Sequence, residues 1–242
     1  MCHKSCIEFA EKYIHEDDIK GRSVIEVGAL DVNGSIRPSV EQFRPLSYIG
    51  VDIQKGAGVD RICPVENLIK EFGTNSFDVV ISTELLEHVL NWRKAIHNLK
   101  QVLKPGGSML LTTRSKGKCY HGYPFDYWRY GLKDIKLIFS DFEIIALCED
   151  SEEPGVFFKA IKQKPYIEST VKGLNLYSTI LDKRSSIIMA FFFWRVIIVL
   201  LYIFRVESRR EHYMQRIGYY IGHPLSIGYL ILRKGKNLIA HK

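Results

Sequence analysis

The chain has 242 residues, 46% hydrophobic and 25% charged, enough for one domain with a sizeable core plus an appendage and too apolar for global disorder. Its net charge of +7 is unevenly placed: residues 1–165 carry 22 Lys/Arg against 23 Asp/Glu, whereas residues 166–242 carry 12 against 4. A nucleic-acid enzyme gathers positive charge around its cleft, while a basic and greasy tail suits an anionic membrane surface, so no nucleic-acid partner is expected.

Residues 5–19 read as a leading helix, with Ile7, Phe9, Ala10, Tyr13 and Ile14 on a helical period. Strands and helices then alternate. Ser23–Val27, Ser47–Val51, Val59–Ile62 and Phe77–Ser82 are predicted strands, the last almost wholly apolar, as suits a strand covered on both faces. A helix over about Trp92–Leu103 ends at the turn Lys104-Pro-Gly-Gly107, before a strand at Ser108–Thr113. Phe142–Leu147 and Val156–Ile161 complete seven strands. Strands spaced by helices argue for parallel βαβ units, while the short acidic loop between the last two fits only an antiparallel pair. The expected fold is α/β, a Rossmann-like doubly wound seven-stranded sheet with its last strand reversed. Residues 1–165 would form this domain and residues 166–242 a helical, hydrophobic extension.

Three segments carry chemistry. Residues 24–34 read VIEVGALDVNG, a strand running into a glycine bend. A dinucleotide site would need three glycines in G-x-G-x-x-G spacing, yet glycines stand only at 28 and 34, beside Glu26 and Asp31. Carboxylates there disfavour a pyrophosphate and favour a cationic or hydroxyl-bearing ligand. Asp52 ends the second strand 24 residues beyond Gly28, where a carboxylate can accept from ribose hydroxyls. The third segment is FDVVISTELLEHV, residues 77–89, followed by LKPGG at 103–107.

With these segments in this order, residues 20–162 resemble the class I S-adenosylmethionine-dependent methyltransferases, and most nearly the type 11-like methyltransferase domain. The resemblance implies S-adenosyl-L-methionine as cofactor. It also implies that Glu26, Gly28, Ala29 and Gly34 form the first loop and that Asp52 holds the ribose. Ile53 would pack on the adenine, Val65 would offer it a backbone N–H, and Ser82 would lie beside the methionine end. One departure stands out: Pro64 occupies the place where many relatives carry an aspartate for the adenine amino group, leaving packing, backbone or Glu66 to replace it.

Residues 112–130, with the stretch HGYPFDYWR, follow the fifth strand and are too polar and aromatic for a plain connector. They are read as a substrate-facing lid. A sulfonium methyl is already activated, so the protein must align a nucleophile and exclude water. For a hydroxyl nucleophile a base helps, and His121, oriented by Asp126, is the preferred candidate, with His88 the second.

Residues 187–204 read IIMAFFFWRVIIVLLYIF, eighteen residues with only Arg195 charged, the lower limit for a bilayer span. A longer helix, extending past Phe204, would carry Arg195, Tyr202, Arg209 and Arg216 on one stripe, which fits a helix lying in the interface or docked on the domain equally well. Five scattered cysteines, odd in number and without metal-ligand spacing, fit a reducing compartment, and the charged first twenty residues lack the apolar core of a signal peptide. The sequence thus predicts a cytoplasmic methyltransferase at the inner face of a membrane, acting on a small-molecule or lipid-linked acceptor, with no metal. A non-catalytic adaptor anchored by its tail and a nicotinamide-dependent oxidoreductase are the alternatives.

Overall fold

The computed structural model describes residues 3–122 and 125–188. Two short helices lead, α1 (Lys4–Tyr13) and α2 (Glu16–Ile19). A single helix over 5–19 was expected, and the break at Ile14 and His15 has a local cause. His15 is extended, and its N–H donates to Asp18 Oδ2 at 3.1 Å, so the run Glu16-Asp17-Asp18 serves as the acidic start of a new helix.

The central sheet then builds from β1 (Ser23–Val27), β2 (Ser47–Asp52), β3 (Arg61–Ile62), β4 (Phe77–Thr83), β5 (Leu103–Arg114), β7 (Phe142–Glu149) and β8 (Gly155–Lys162). Helices α3 (Arg37–Glu41), α4 (Leu68–Phe72), α5 (Trp92–Val102) and α6 (Leu132–Ile138) intervene. The strand order is β3-β2-β1-β4-β5-β8-β7, and β8 alone runs against its neighbours. This is the seven-stranded sheet with a reversed final strand that the short acidic loop predicted. The order reverses between β1 and β4, the place where open α/β sheets bind ligands beyond their strand ends.

The expected turn at Lys104–Gly107 lies inside β5 rather than before it. Phe77 pairs with Leu103 and Val79 with Ser108, so the turn is looped out opposite Asp78. Gly107 is required there because a Cβ would meet the Asp78 carbonyl at 2.7 Å. Lys104 closes the bulge by donating to both Asp78 oxygens at 2.9 Å, and Ser23 donates to the same carboxylate, which is held down at about 2 by these partners.

One sheet face packs Val24, Val79, Ile81, Leu110 and Phe157 against Phe9 and Ala10 of α1 and Val40 of α3. The other receives α5, whose Trp92, Ala95, Ile96, Leu99 and Val102 recur at helical spacing and are buried. Each such aliphatic side chain contributes about 1.5–3 kcal/mol on burial. At the far end of the sheet, Lys162 is buried. Its ammonium donates to the carbonyls of Lys100 (2.7 Å) and Leu103 (2.6 Å), closing the end of α5, and burial lowers its pKa to about 8.

A second sheet was not anticipated. Strands β6 (Trp128–Arg129), β9 (Leu176–Ser178) and β10 (Lys183–Ser185) lie in the order β10-β9-β6. Residues up to Ser186 therefore group with the main domain, beyond the expected boundary at 165, and residues 166–186 are strand and loop rather than helix. Period-based reading misses them because their strands are three residues long. The described residues 121, 122, 125, 126, 187 and 188 group apart from the main domain. Among the described residues no helix is long and apolar enough to cross a membrane, and all but the first two residues of the apolar segment 187–204 lie outside them.

Candidate active site

The strand ends at the switch point assemble the site. Gly28 leaves β1 with φ +86°, a conformation that favours glycine, and a Cβ there would press on the Leu85 side chain at 3.2 Å. The N–H groups of Gly28 and Ala29 both donate to the Val51 carbonyl (2.9 and 3.0 Å), and that of Leu30 donates to Asp52 Oδ2 at 3.3 Å. Asp31 N–H reaches the Ala57 carbonyl, and Gly34 N–H reaches Asp31 Oδ1 at 2.9 Å. The first loop thus spends these N–H groups on β2, on the loop that follows it and on Asp31, and α3 begins only at Arg37.

Three further glycines make that interlock possible. A Cβ on Gly50 would lie 2.1 Å from the Gly58 carbonyl oxygen and 2.9 Å from Ala29 Cβ. One on Gly58 would lie 2.4 Å from the Ala29 carbonyl, and one on Gly56 would strike Leu30 at 2.2 Å. The loop after β2 thus lies directly on the loop after β1.

The carboxylates follow from strand register. Glu26 is level with Gly50, and Asp52 stands two residues beyond Gly50, so Glu26 and Asp52 project on the same face. Glu26 is 3% exposed, and Tyr48 donates to its Oε2 at 2.6 Å. Burial raises Glu26 to about 7, opposed by that hydrogen bond. Arg37 covers the Tyr48 ring at 4.7 Å and pairs with Asp60 at 2.9 Å. Asp52 is only partly buried and accepts from the N–H groups of Leu30 and Gln54.

Ile53 follows at 52% exposure, a free apolar surface beside that carboxylate. Cys63 N–H donates to the Asp52 carbonyl at 2.8 Å, which draws the Pro64–Val65 turn to the end of β2. Val65 is buried there, its carbonyl accepting from Asn98 at 2.8 Å. Ser82 is buried on β4 and donates to the Val27 carbonyl at 3.0 Å, stitching β4 to β1 at the switch point.

Beyond β4 lies a network that sequence reasoning missed. Glu84, at φ +52°, is buried and accepts from Thr112 Oγ1 at 3.0 Å and from Arg114 Nε. Arg114, fully buried at the end of β5, also donates to Asp150 at 2.9 Å, and Ser5 of α1 donates to the same Asp150 oxygen. Glu87 is buried with Thr113 donating to its Oε2 at 2.9 Å. Burial and the Glu87 charge push Glu84 upward, against Arg114. The signal was present in Thr83-Glu-Leu-Leu-Glu87: two carboxylates three residues apart, directly after a buried strand, need a buried cation.

Of the proposed bases, His121 Nδ1 lies 3.0 Å from Asp126 Oδ2, and the His121 backbone N–H donates to that same oxygen. The two residues expected to act together are held together. His88 closes the short turn Leu86–His88, its largely buried ring 3.9 Å from Glu87 Oε1.

The sequence profile of a family described as a methyltransferase domain matches residues 7–151. The chain is 31% identical over 96 residues to the mitochondrial ubiquinone biosynthesis O-methyltransferase of Homo sapiens, covering 40% of this chain and 24% of that protein. It is 38% identical over 138 residues to phosphoethanolamine N-methyltransferase 2 of Caenorhabditis elegans, covering 49% of this chain and 30% of that one. The chain thus spans less than a third of the length of either relative. In fold it matches the Burkholderia thailandensis 1,6-didemethyltoxoflavin-N1-methyltransferase, crystallised with bound 1,6-didemethyltoxoflavin and S-adenosylhomocysteine, at a TM-score of 0.51 and 13% identity over 65% of this chain and 78% of that one. With well over half of its length inside the family profile, and the seven-stranded sheet in place, the chain belongs to the class I S-adenosylmethionine-dependent methyltransferases.

Proposed function

We propose that the protein transfers the methyl group of S-adenosylmethionine to a hydroxyl or amine of a small-molecule acceptor. The observation that carries this reading is the pair of carboxylates, Glu26 and Asp52, on one face at adjacent strand ends beside the switch point. When bound, the cofactor supplies an already activated methyl on a cationic sulfur. Asp52 would accept from the ribose hydroxyls with the lone pairs its two backbone donors leave unused. Ile53 would stack on the adenine, Val65 would meet its edge through a backbone N–H, and Ser82 would border the methionine end. Gly28, Ala29 and Gly34 would shape the wall by close approach rather than by donating N–H groups. With those groups engaged by Val51 and Asp31, there is no cradle for a pyrophosphate, which disfavours the nicotinamide alternative.

His121 would take the proton of an acceptor hydroxyl, with Asp126 fixing its ring and stabilising the imidazolium; His88 is the second candidate. The curated relatives named for ubiquinone biosynthesis O-methylation and phosphoethanolamine N-methylation support a hydroxyl of a ubiquinone-related compound or the amine of a phosphoethanolamine-like compound as first acceptors to try. A lipid-linked acceptor at a membrane rests on the sequence of residues 187–204 alone.

Asp52→Ala tests the reading. Loss of charged hydrogen bonds worth about 1.5–3 kcal/mol should weaken S-adenosylhomocysteine binding roughly ten- to a hundredfold by calorimetry. Unchanged affinity would remove the ribose assignment.

A further inference from the structure

The segment 166–186 lies outside the family match and outside every role assigned above, yet it is tied to the domain at many points. Arg93 of α5 stacks on the Trp92 ring at 4.2 Å and donates to the carbonyls of Leu174 (2.6 Å) and Ser186 (2.5 Å), near the two ends of the β9–β10 hairpin. Glu168 accepts from Gln101 and contacts His97, both at 2.8 Å. Ser169 N–H donates to Asp141 at 3.0 Å, the carboxylate that also receives the buried Lys100. Arg184 of β10 pairs with Asp134 of α6. A connector between two domains would not need this many buried and charged attachments.

What the strap touches next gives it a purpose. Strand β9 pairs with β6, Trp128 opposite Ser178 and Arg129 opposite Tyr177, and Thr179 N–H donates to the Tyr127 carbonyl at 3.0 Å. β6 is the returning stem of the loop read as facing the acceptor. The outgoing stem meets the same strand, because the Lys116 ammonium sits 4.8 Å from the centre of the Tyr177 ring. Arg129 then joins the stems: its guanidinium donates to the Lys118 carbonyl at 3.2 Å and the Cys119 carbonyl at 3.3 Å.

We propose that residues 166–186 are a positioning strap: Arg93 fastens the strap, β9 fixes β6, and Arg129, carried by β6, clasps the base of the loop between Lys118 and Arg129. Arg93 and Arg129 are positioning residues, acting through the loop rather than on the reacting atoms. The purpose assigned to the strap rests on the acceptor-facing reading of the loop; the mechanical linkage does not.

Hydrogen exchange on the full-length protein, with S-adenosylhomocysteine calorimetry alongside, tests the linkage. In Arg93→Ala, exchange should rise at least tenfold in residues 174–186 and also in residues 116–119 and 127–130. Exchange in β1 and β4, and the affinity for S-adenosylhomocysteine, should stay within about twofold. In Arg129→Met, residues 116–119 should loosen while residues 174–186 do not. Loosening of the strap alone in Arg93→Ala would overturn the proposal. So would a rise that includes β1 and β4, since the strap would then be part of the common core. Loosened stems with undiminished methyl transfer to an accepted substrate would leave the clasp standing and remove the acceptor-facing reading instead.

Discussion

Glu26 gives the sharpest test of the electrostatics at the strand ends. Its carboxyl is nearly sealed from water, and its pKa rises from an ordinary 4.5 to about 7. Between those two values the folded chain holds a proton that the unfolded chain has released. Folded-state stability must therefore fall as pH rises from about 4.5 to about 7 and level off above that. At 1.36 kcal/mol per pKa unit the full effect is about 3 kcal/mol. Glu26→Gln removes the titration while still offering Tyr48 an oxygen to donate to. Urea unfolding of the cofactor-free protein, followed by circular dichroism at several pH values from 5 to 8 and constant ionic strength, reads the difference directly. The variant should gain on the parent by about 3 kcal/mol across that range. Glu84 slopes in the same direction but is present in both proteins and cancels. Parallel profiles for parent and variant would refute the idea that Glu26 is protonated in the folded apo-protein.

Gly50→Ala places a Cβ 2.1 Å from a backbone oxygen, so the loops after β1 and β2 must part. Thermal unfolding should show about 2 kcal/mol of destabilisation, with weakened S-adenosylhomocysteine binding. Asp78 has the opposite sign to Glu26: its pKa is depressed to about 2, so its contribution holds above about pH 4 and is lost as pH falls from there toward 2. Asp78→Asn should cost about 1 kcal/mol at neutral pH after allowance for solvent screening, and acid titrations of the two proteins should converge near pH 2. A chain ended after Lys164 loses the partners of Arg93, Gln101 and Asp141, and should melt several degrees below one ended after Ile188. Equal melting points would show that the strap adds no stability.

The main sheet was legible because its strands are long, apolar and punctuated by glycine and proline. Phe77–Ser82 and Ser108–Thr113 stand out in sequence, and both are strands in the structure, where they pair. The placing of Glu26 and Asp52 at two strand ends was likewise readable, whereas their shared face depends on the register that sets Glu26 level with Gly50. What escaped depended on contacts distant in sequence. The three residues of β9 have no period to detect and become a strand only beside Trp128 and Arg129. Arg114 looks like an ordinary charged residue at a strand end until Glu84, thirty positions earlier, is folded against it. The engaged N–H groups of Gly28 and Ala29 are invisible for a related reason: their acceptor, Val51, sits on another strand.

Arg129 grips the loop by the carbonyl oxygens of Lys118 and Cys119, and every amino acid supplies a carbonyl oxygen. The fastening is therefore indifferent to what is written between its ends. Side chains of the loop other than Asp126, whose buried carboxylate accepts from the His121 backbone N–H, can diverge without unpicking the knot that holds them. Under the proposed clasp, the sequence of the loop could change while its two stems stay where they are.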